Sequence, residues 1–224
     1  MAVSSSPTWL EQGPDQSPEQ LRALLSGDAR RIAPLLLGSV LSHNSHEGTV
    51  AIRITEVEAY MGPGDSPHPD PGSHTFRGPT ARNAPMFGPA GHLYVYFTYG
   101  MHYCANIVCG PAGAASAVLL RAGEVVEGRH LAQVRRATSK SPKDLASGPA
   151  RLAAALALTT ADSGRDALAE PFGLRLPASP AATFSSGPRV GVSGVGGSAD
   201  YPWRFWLPDD PTVSRYKAAK VRQA

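Results

Sequence analysis

The sequence predicts an α+β fold: a single compact domain with a curved, mainly antiparallel β-sheet flanked by helices. Three observations predict it. Two stretches near the N-terminus carry helix-start chemistry followed by apolar residues at helical spacing. The run Thr49 to Tyr60 alternates as a half-buried strand does, after a polar turn and a shorter extended segment. Helical and extended segments then follow one another with no internal repeat and no linker, and 224 residues with 42% hydrophobic content suffice for one sizeable core.

Each element has its own signal. Ser17-Pro18-Glu19-Gln20 offers Ser at the N-cap, Pro at the first helical position and Gln at the third, so a short helix is expected through Leu25. Asp28 caps a second, with Ile32, Leu35 and Leu36 at helical spacing, and Pro34 is tolerable there only near the first turn. Gly38 to Ser42, a polar turn from His43 to Gly48, and Thr49 to Tyr60 read as a β-hairpin. Val50, Ile52 and Ile54 share one face of it, and so would Glu56 and Glu58 in a regular strand. An apolar face does not take two carboxylates without cause: either the strand bends or bulges, or one acid is buried for chemistry. Met61 to Ala90 is a long loop with seven prolines and five glycines, a length that points to function or disorder. Gly91 to Ala105 returns to strand, Ala117 to Arg121 adds another, and Glu124 to Ala137 and Ala150 to Leu158 are expected as helices. Asp162 to Pro188 is loop-rich, and Arg189 to Val192 and Arg204 to Leu207 read as closing strands. Residues 1–16 are polar and Pro-rich and are expected to form a disordered tail, leaving 17–224 as the domain.

Composition excludes several classes. No apolar run approaches the ~20 residues of a membrane span, and Met1 to Ser17 lacks the basic and apolar regions of a secretory signal. Cys104 and Cys109 form neither a disulfide framework nor a zinc pattern, so buried free thiols in a reducing, cytoplasmic setting are expected. The net charge of +3 is mild, but its distribution is not even. Pro71 to Gly123 contains no Asp or Glu, yet holds Arg77, Arg82, Arg121, His74, His92 and His102. A long arginine-bearing stretch without carboxylates suits a polyanion, or a core strand pair that merely lacks charge. Within it, Tyr94 to Tyr103 holds four of the seven tyrosines. Such a run is either strand core with half-buried rings or a platform for stacking on bases.

Glu58 is the first candidate for chemistry, because a carboxylate at a strand end before a glycine-bearing loop can hold and activate a water. Tyr60 and His74 add aromatic and hydrogen-bonding groups close by in sequence. His68, Asp70 and His74 allow a metal site in principle, but no second ligand cluster supports it, and neither metal nor cofactor is expected.

Glu58-Ala59-Tyr60-Met61-Gly62-Pro63, Asp65, His74-Thr75-Phe76-Arg77-Gly78, Arg82-Asn83 and Met86-Phe87 together resemble the alkyladenine (3-methyladenine) DNA glycosylase family. Gly91 through Ile107, Leu119-Leu120-Arg121-Ala122, Ser147-Gly148-Pro149, Arg189-Val190-Gly191-Val192 and Pro202-Trp203-Arg204-Phe205-Trp206 continue the resemblance in order, over about residues 17–216. The resemblance implies a monomeric DNA repair enzyme that acts on duplex DNA containing damaged purines, flips the base out and hydrolyses its N-glycosidic bond. By the same resemblance Glu58 is the general base and Arg121 lies beside the catalytic water and the phosphate. Tyr60, His74 and Tyr96 sandwich the flipped base, His74 hydrogen-bonds its edge, Asn106 crowds a guanine 2-amino group, and Tyr99 is the wedge. Arg77 and Arg82 would contact the DNA backbone. The loop between Tyr60 and His74 departs from the family pattern: it is several residues longer, with Pro67-His68-Pro69-Asp70-Pro71 as the apparent insertion, which leaves His68 as a competing choice for the stacking histidine. Independently of the resemblance, no lysine precedes Lys140, so no amine lies in the motif-rich segment to form a Schiff base, and excision without strand cleavage is expected.

Overall fold

The computed structural model describes residues 16–219. The tail expected over residues 1–16 therefore lies, but for Gln16, outside the described residues. Helix α1 (Pro18–Leu25) starts as its sequence requires, with Ser17 and Gln20 forming a reciprocal capping box. Helix α2 (Ala29–Leu35) is capped by Asp28, whose side chain accepts from the Arg30 amide. Pro34 sits in the last turn of α2 rather than near the first. The position is tolerated because the helix ends one residue later and Leu36 closes it by donating to the Ile32 and Ala33 carbonyls.

Strands β1 (Val40–Ser45) and β2 (Gly48–Tyr60) form the expected hairpin, with Val40 opposite Arg53 and Ser45 opposite Gly48. Strands β3 (Leu93–Thr98) and β4 (His102–Cys109) form a second, and β5 (Ser116–Glu127) lies between β4 and β2. Helix α3 (Arg129–Arg135), strand β6 (Ala146–Ser147) and helix α4 (Pro149–Ala155) follow, then β7 (Phe172–Arg175), β8 (Ser185–Gly187) and β9 (Arg204–Trp206). Among the described residues these nine strands form one antiparallel sheet whose main path runs β3-β4-β5-β2-β1-β7, with β6 beside β5 and β9 bridging β2 and β8. Helices α1 to α4 pack Leu25, Ile32, Ala132 and Leu152 into one large core with Ile52, Ile54, Val95, Ile107 and Leu120 of the sheet. A smaller cluster of Met86, Tyr94, Val108 and Ala117 lies on the opposite face, under the long loop.

Three segments differ from the sequence reading. Residues 124–127 extend β5 instead of opening a helix, because β2 supplies a pairing edge: Val125 lies opposite Ile52, and Arg53 donates to Glu124 across the pair at 2.8 Å. Gly128 then turns the chain with φ of 68°, so only residues from Arg129 are helical. Arg189 to Val192 is a turn, with Gly191 at φ of 70°; the strand lies just upstream as β8. The Arg189 side chain is drawn inward to Asp70, which the extended course expected there did not anticipate. Asp162 to Pro188, expected to be loop-rich, also contributes β7 beside β1 and β8 beside β9.

Gly128 permits the strand-to-helix turn in two ways, since it is left-handed and a Cβ there would lie 2.1 Å from the Thr49 carbonyl oxygen. Gly128→Ala is expected to cost at least ~1–2 kcal/mol, the left-handed penalty alone, with the contact adding more. A urea midpoint unchanged from that of the parent would refute this account of the turn.

Candidate active site

Strand β2 resolves the problem of its two acids by a bulge. Val50, Ile52 and Ile54 point into the main core, the register with β5 shifts on either side of Glu56, and Val57 and Ala59 then take the core side. One extra residue flips the alternation, so Glu56 and Glu58 turn away from the apolar core, toward Arg121 of β5. Both acids are fully buried. The bulge and the buried acids, alternatives in the sequence, are the same feature in the fold.

Above them lies a cavity of about 370 Å³, within the ~300–1,000 Å³ of small-molecule sites. Tyr60, His74, Tyr96, Asn106 and Arg121 line it, together with Tyr94, Met86, Cys104, Leu119 and the Val190–Ser193 turn. The site residues expected from widely separated segments are thus brought together, with three exceptions. Glu58 does not reach the cavity surface but lies beneath Tyr60 and Arg121. Arg77 is exposed on the loop and lines no part of the cavity. Arg82 is also exposed; it donates to the Phe97 carbonyl at 3.0 Å and holds its guanidinium 5.5 Å above the Tyr96 ring.

The Glu58 carboxylate is tied down on both oxygens. Oε1 accepts from the Val190 amide at 2.7 Å, and Oε2 accepts from the Tyr60 hydroxyl at 2.8 Å and lies 3.3 Å from Arg121 Nη1. A carboxylate offers about four acceptor directions, so roughly one is left for a further donor such as water. Arg121 lies between the acids, its Nε donating to Glu56 at 2.9 Å. Burial works against its charge, but Glu58 and Glu56 outweigh burial and raise its pKa above the ordinary arginine value. Burial, and then the adjacent Glu58 charge, pushes the Tyr60 phenol far above its usual range, and burial pushes Tyr94 up to about 12. Both therefore remain neutral donors at physiological pH. Burial, with Arg82 nearby, lowers the His74 pKa, which favours the neutral imidazole.

Loop chemistry places His74. Its Nδ1 meets the Tyr94 hydroxyl at 3.1 Å, and its ring stands edge-on to Tyr96 with centroids 4.6 Å apart. Asn83 staples the loop by donating to the His74 and Gly78 carbonyls while accepting from the Thr80 amide. His74, not His68, is the histidine at the cavity; His68 lines a separate hollow with Asp28 and Met61. The three possible metal ligands are dispersed, since Asp70 turns to Arg189 and His74 to Tyr94. Among the described residues no group of three or more His, Cys, Asp or Glu is placed to hold a metal ion.

On the β3–β4 hairpin, Val95 joins the main core while Tyr94, Tyr96 and Thr98 face the cavity, as strand alternation expects. Tyr94 is both buried and part of the cavity wall. Tyr99 and Gly100 have φ of 53° and 67°, the pattern of a type I′ turn. A tyrosine in the left-handed region is uncommon and costs about 1–2 kcal/mol. Its side chain is 86% exposed, at the cavity rim.

One important pairing escaped the sequence reading. Arg189 and Asp70 form a fully buried bidentate pair at 2.7 Å, and Arg189 also donates to the Ala59 and Gly196 carbonyls. Its guanidinium backs the Tyr60 ring at 4.4 Å. Asp70 accepts from the Met61 and Gly72 amides, so one ion pair joins the end of β2, the His74 loop and the Val190 turn. The available signal was a lone acid among prolines and a lone arginine before an apolar triplet, neither of which identifies a partner.

Comparison with known proteins shows the family. A family model described as methylpurine-DNA glycosylase (MPG) matches residues 23–211. A protein of Leifsonia xyli subsp. xyli named "Putative 3-methyladenine DNA glycosylase" is 60% identical over 190 residues, covering 83% of this chain and 87% of its own length. One of the same name from Streptomyces avermitilis is 51% identical over 214 residues, covering 94% of this chain and 97% of its own.

Proposed function

Since the chain belongs to the methylpurine-DNA glycosylase family, we propose that it flips alkylated or deaminated purines out of duplex DNA into the Tyr60–Tyr96 cavity and hydrolyses their N-glycosidic bonds. The observation that carries this reading is the convergence of Tyr60, His74, Tyr96, Asn106 and Arg121 on one cavity with the Glu58 carboxylate directly beneath it. Aromatic walls suit a purine, with stacking of about 1–3 kcal/mol per base, and their faces favour an alkylated, cationic base by a further ~0.5–2 kcal/mol. Asn106 is held by donating to the Tyr94 carbonyl at 3.0 Å, which fixes it as a steric gauge for the purine edge. His74, neutral, presents a hydrogen-bonding ring to the same base.

Glycosidic cleavage passes through an oxocarbenium-like sugar. The Glu58 carboxylate stabilises that positive charge and takes the proton of the attacking water through its remaining acceptor direction. Arg121 orients that carboxylate and meets the phosphate. Tyr99, held outward by the left-handed turn, fills the gap left by the extruded base, and Arg77 and Arg82 supply backbone contacts that weaken with salt. Initiation of base excision repair follows as the cellular role.

Duplexes carrying 3-methyladenine, 7-methylguanine, hypoxanthine or ethenoadenine test the reading. Release of at least one free base is expected, leaving an abasic strand that breaks only after alkali. No release from any of them would defeat the reading. Breakage without alkali would defeat its no-lyase part, which rests on the absence of lysine before Lys140.

A further inference from the structure

Glu56 has no part in the reaction as derived, does not line the cavity above it and is fully buried, yet three donors converge on it. Oε1 accepts from Arg121 Nε at 2.9 Å and from Arg204 Nε at 2.6 Å, and Oε2 from the Ser214 amide at 2.7 Å. Arg204 is itself 5% exposed and packs 4.2 Å above the Trp206 ring. Two carboxylates, Glu56 and Glu58, and two guanidiniums, Arg121 and Arg204, therefore form one buried cluster under the cavity, balanced in charge. Arg189 and Asp70 balance each other separately.

The balance matters for a reaction whose substrate or transition state is positive. An arginine lining the cavity would by itself repel a cationic purine and an oxocarbenium sugar. In a desolvated site such a charge acts at several ångströms with little screening. Glu58 offsets one guanidinium, but Arg204 brings a second into the same cluster. We propose that Glu56 is a positioning residue that neutralises Arg204 and the Nε side of Arg121, so that the cavity favours positively charged purines more than it would with either guanidinium unpaired. The Nε bond also fixes the Arg121 fork, leaving Nη1 for Glu58. The bulge in β2 serves this arrangement, since without it Glu56 and Glu58 would face the core.

The inference rests on the glycosylase reading, and the test separates the two. Single-turnover excision and duplex binding are measured for a cationic lesion, 7-methylguanine, and a neutral one, hypoxanthine. Glu56→Gln removes one negative charge and is expected to lower the cationic-to-neutral ratio of single-turnover rates on the order of tenfold. A general loss of packing would lower both lesions alike. Arg204→Met removes a positive charge and is expected to shift the ratio the other way. The charge-balanced pair Glu56→Gln with Arg204→Met is expected to restore it to within about twofold, because removing both partners of a buried pair is better tolerated than removing one. If Glu56→Gln does not fold, Arg204→Met and the pair still decide the matter. A ratio unmoved in the folded variants, with the parent active, overturns the role of Glu56 alone. A parent inactive on both lesions overturns the inference together with the glycosylase reading.

Discussion

Glu58→Gln is expected to reduce single-turnover excision by about 10²–10⁴-fold, the range that a positioned general base supplies, while leaving affinity for a lesion-bearing duplex within a few-fold. Glutamine keeps an oxygen for the Val190 amide, now donated at 2.7 Å, but loses the charge that opposes the developing sugar cation. It also removes the electrostatic hold on Arg121 Nη1, so folding should be verified by the melting transition before rates are compared. Loss of chemistry with retained binding separates an enzyme from a protein that merely binds damaged bases. Excision persisting near the parent rate would show that another group activates the water, and the mechanism built on Glu58 would have to be abandoned.

The second large effect concerns stability. Arg189→Met should destabilise the domain by about 3–5 kcal/mol, because it leaves the Asp70 carboxylate buried without its cation. Asp70 would retain only the Met61 and Gly72 amides as donors among its observed partners. For a domain of this size that is a fall in melting temperature on the order of 10 °C. Since Arg189 also backs Tyr60 at 4.4 Å, the loss should reach the cavity as weaker lesion binding at temperatures where the variant is still folded. Replacing Asp70 by Leu in the same chain should recover a good part of the lost stability by removing the orphaned charge. Calorimetry of the parent, the single and the double variant would measure this, and a single variant within 1 kcal/mol of the parent would contradict the role given to the pair.

Much of the candidate site was legible in the sequence. Residue type and order pointed to Glu58, Tyr60, His74, Tyr96, Asn106 and Arg121, because those segments carry strong local patterns and a family resemblance. The α1 cap and the β1–β2 hairpin were legible for a different reason: capping and alternation are short-range physics, satisfied within a few residues. The failures were long-range. Residues 124–127 have a plausible helical composition and become strand only because β2 lies alongside to pair with them. Arg189 to Val192 has a strand's composition and becomes a turn as Arg189 meets an acid far earlier in the chain. The sequence favoured His74 over His68 only through the Thr-Phe-Arg-Gly that follows it, since both sit in the same proline-rich loop; Asn83 and Tyr94 hold His74 at the cavity.

By itself the sequence determined the fold class, the family and the alternation that sends Tyr96 one way and Val95 the other, and it singled out the residues that converge on the candidate site. Only the tertiary structure decided that Glu56 and Glu58 leave the core face, that Arg121 is shared between them and that Arg189 locks three segments together. The reason is the range of the forces involved. Propensity, capping and alternation act between neighbours and are written in short runs of residues, whereas burying a charge requires a partner whose distance along the chain no local pattern records.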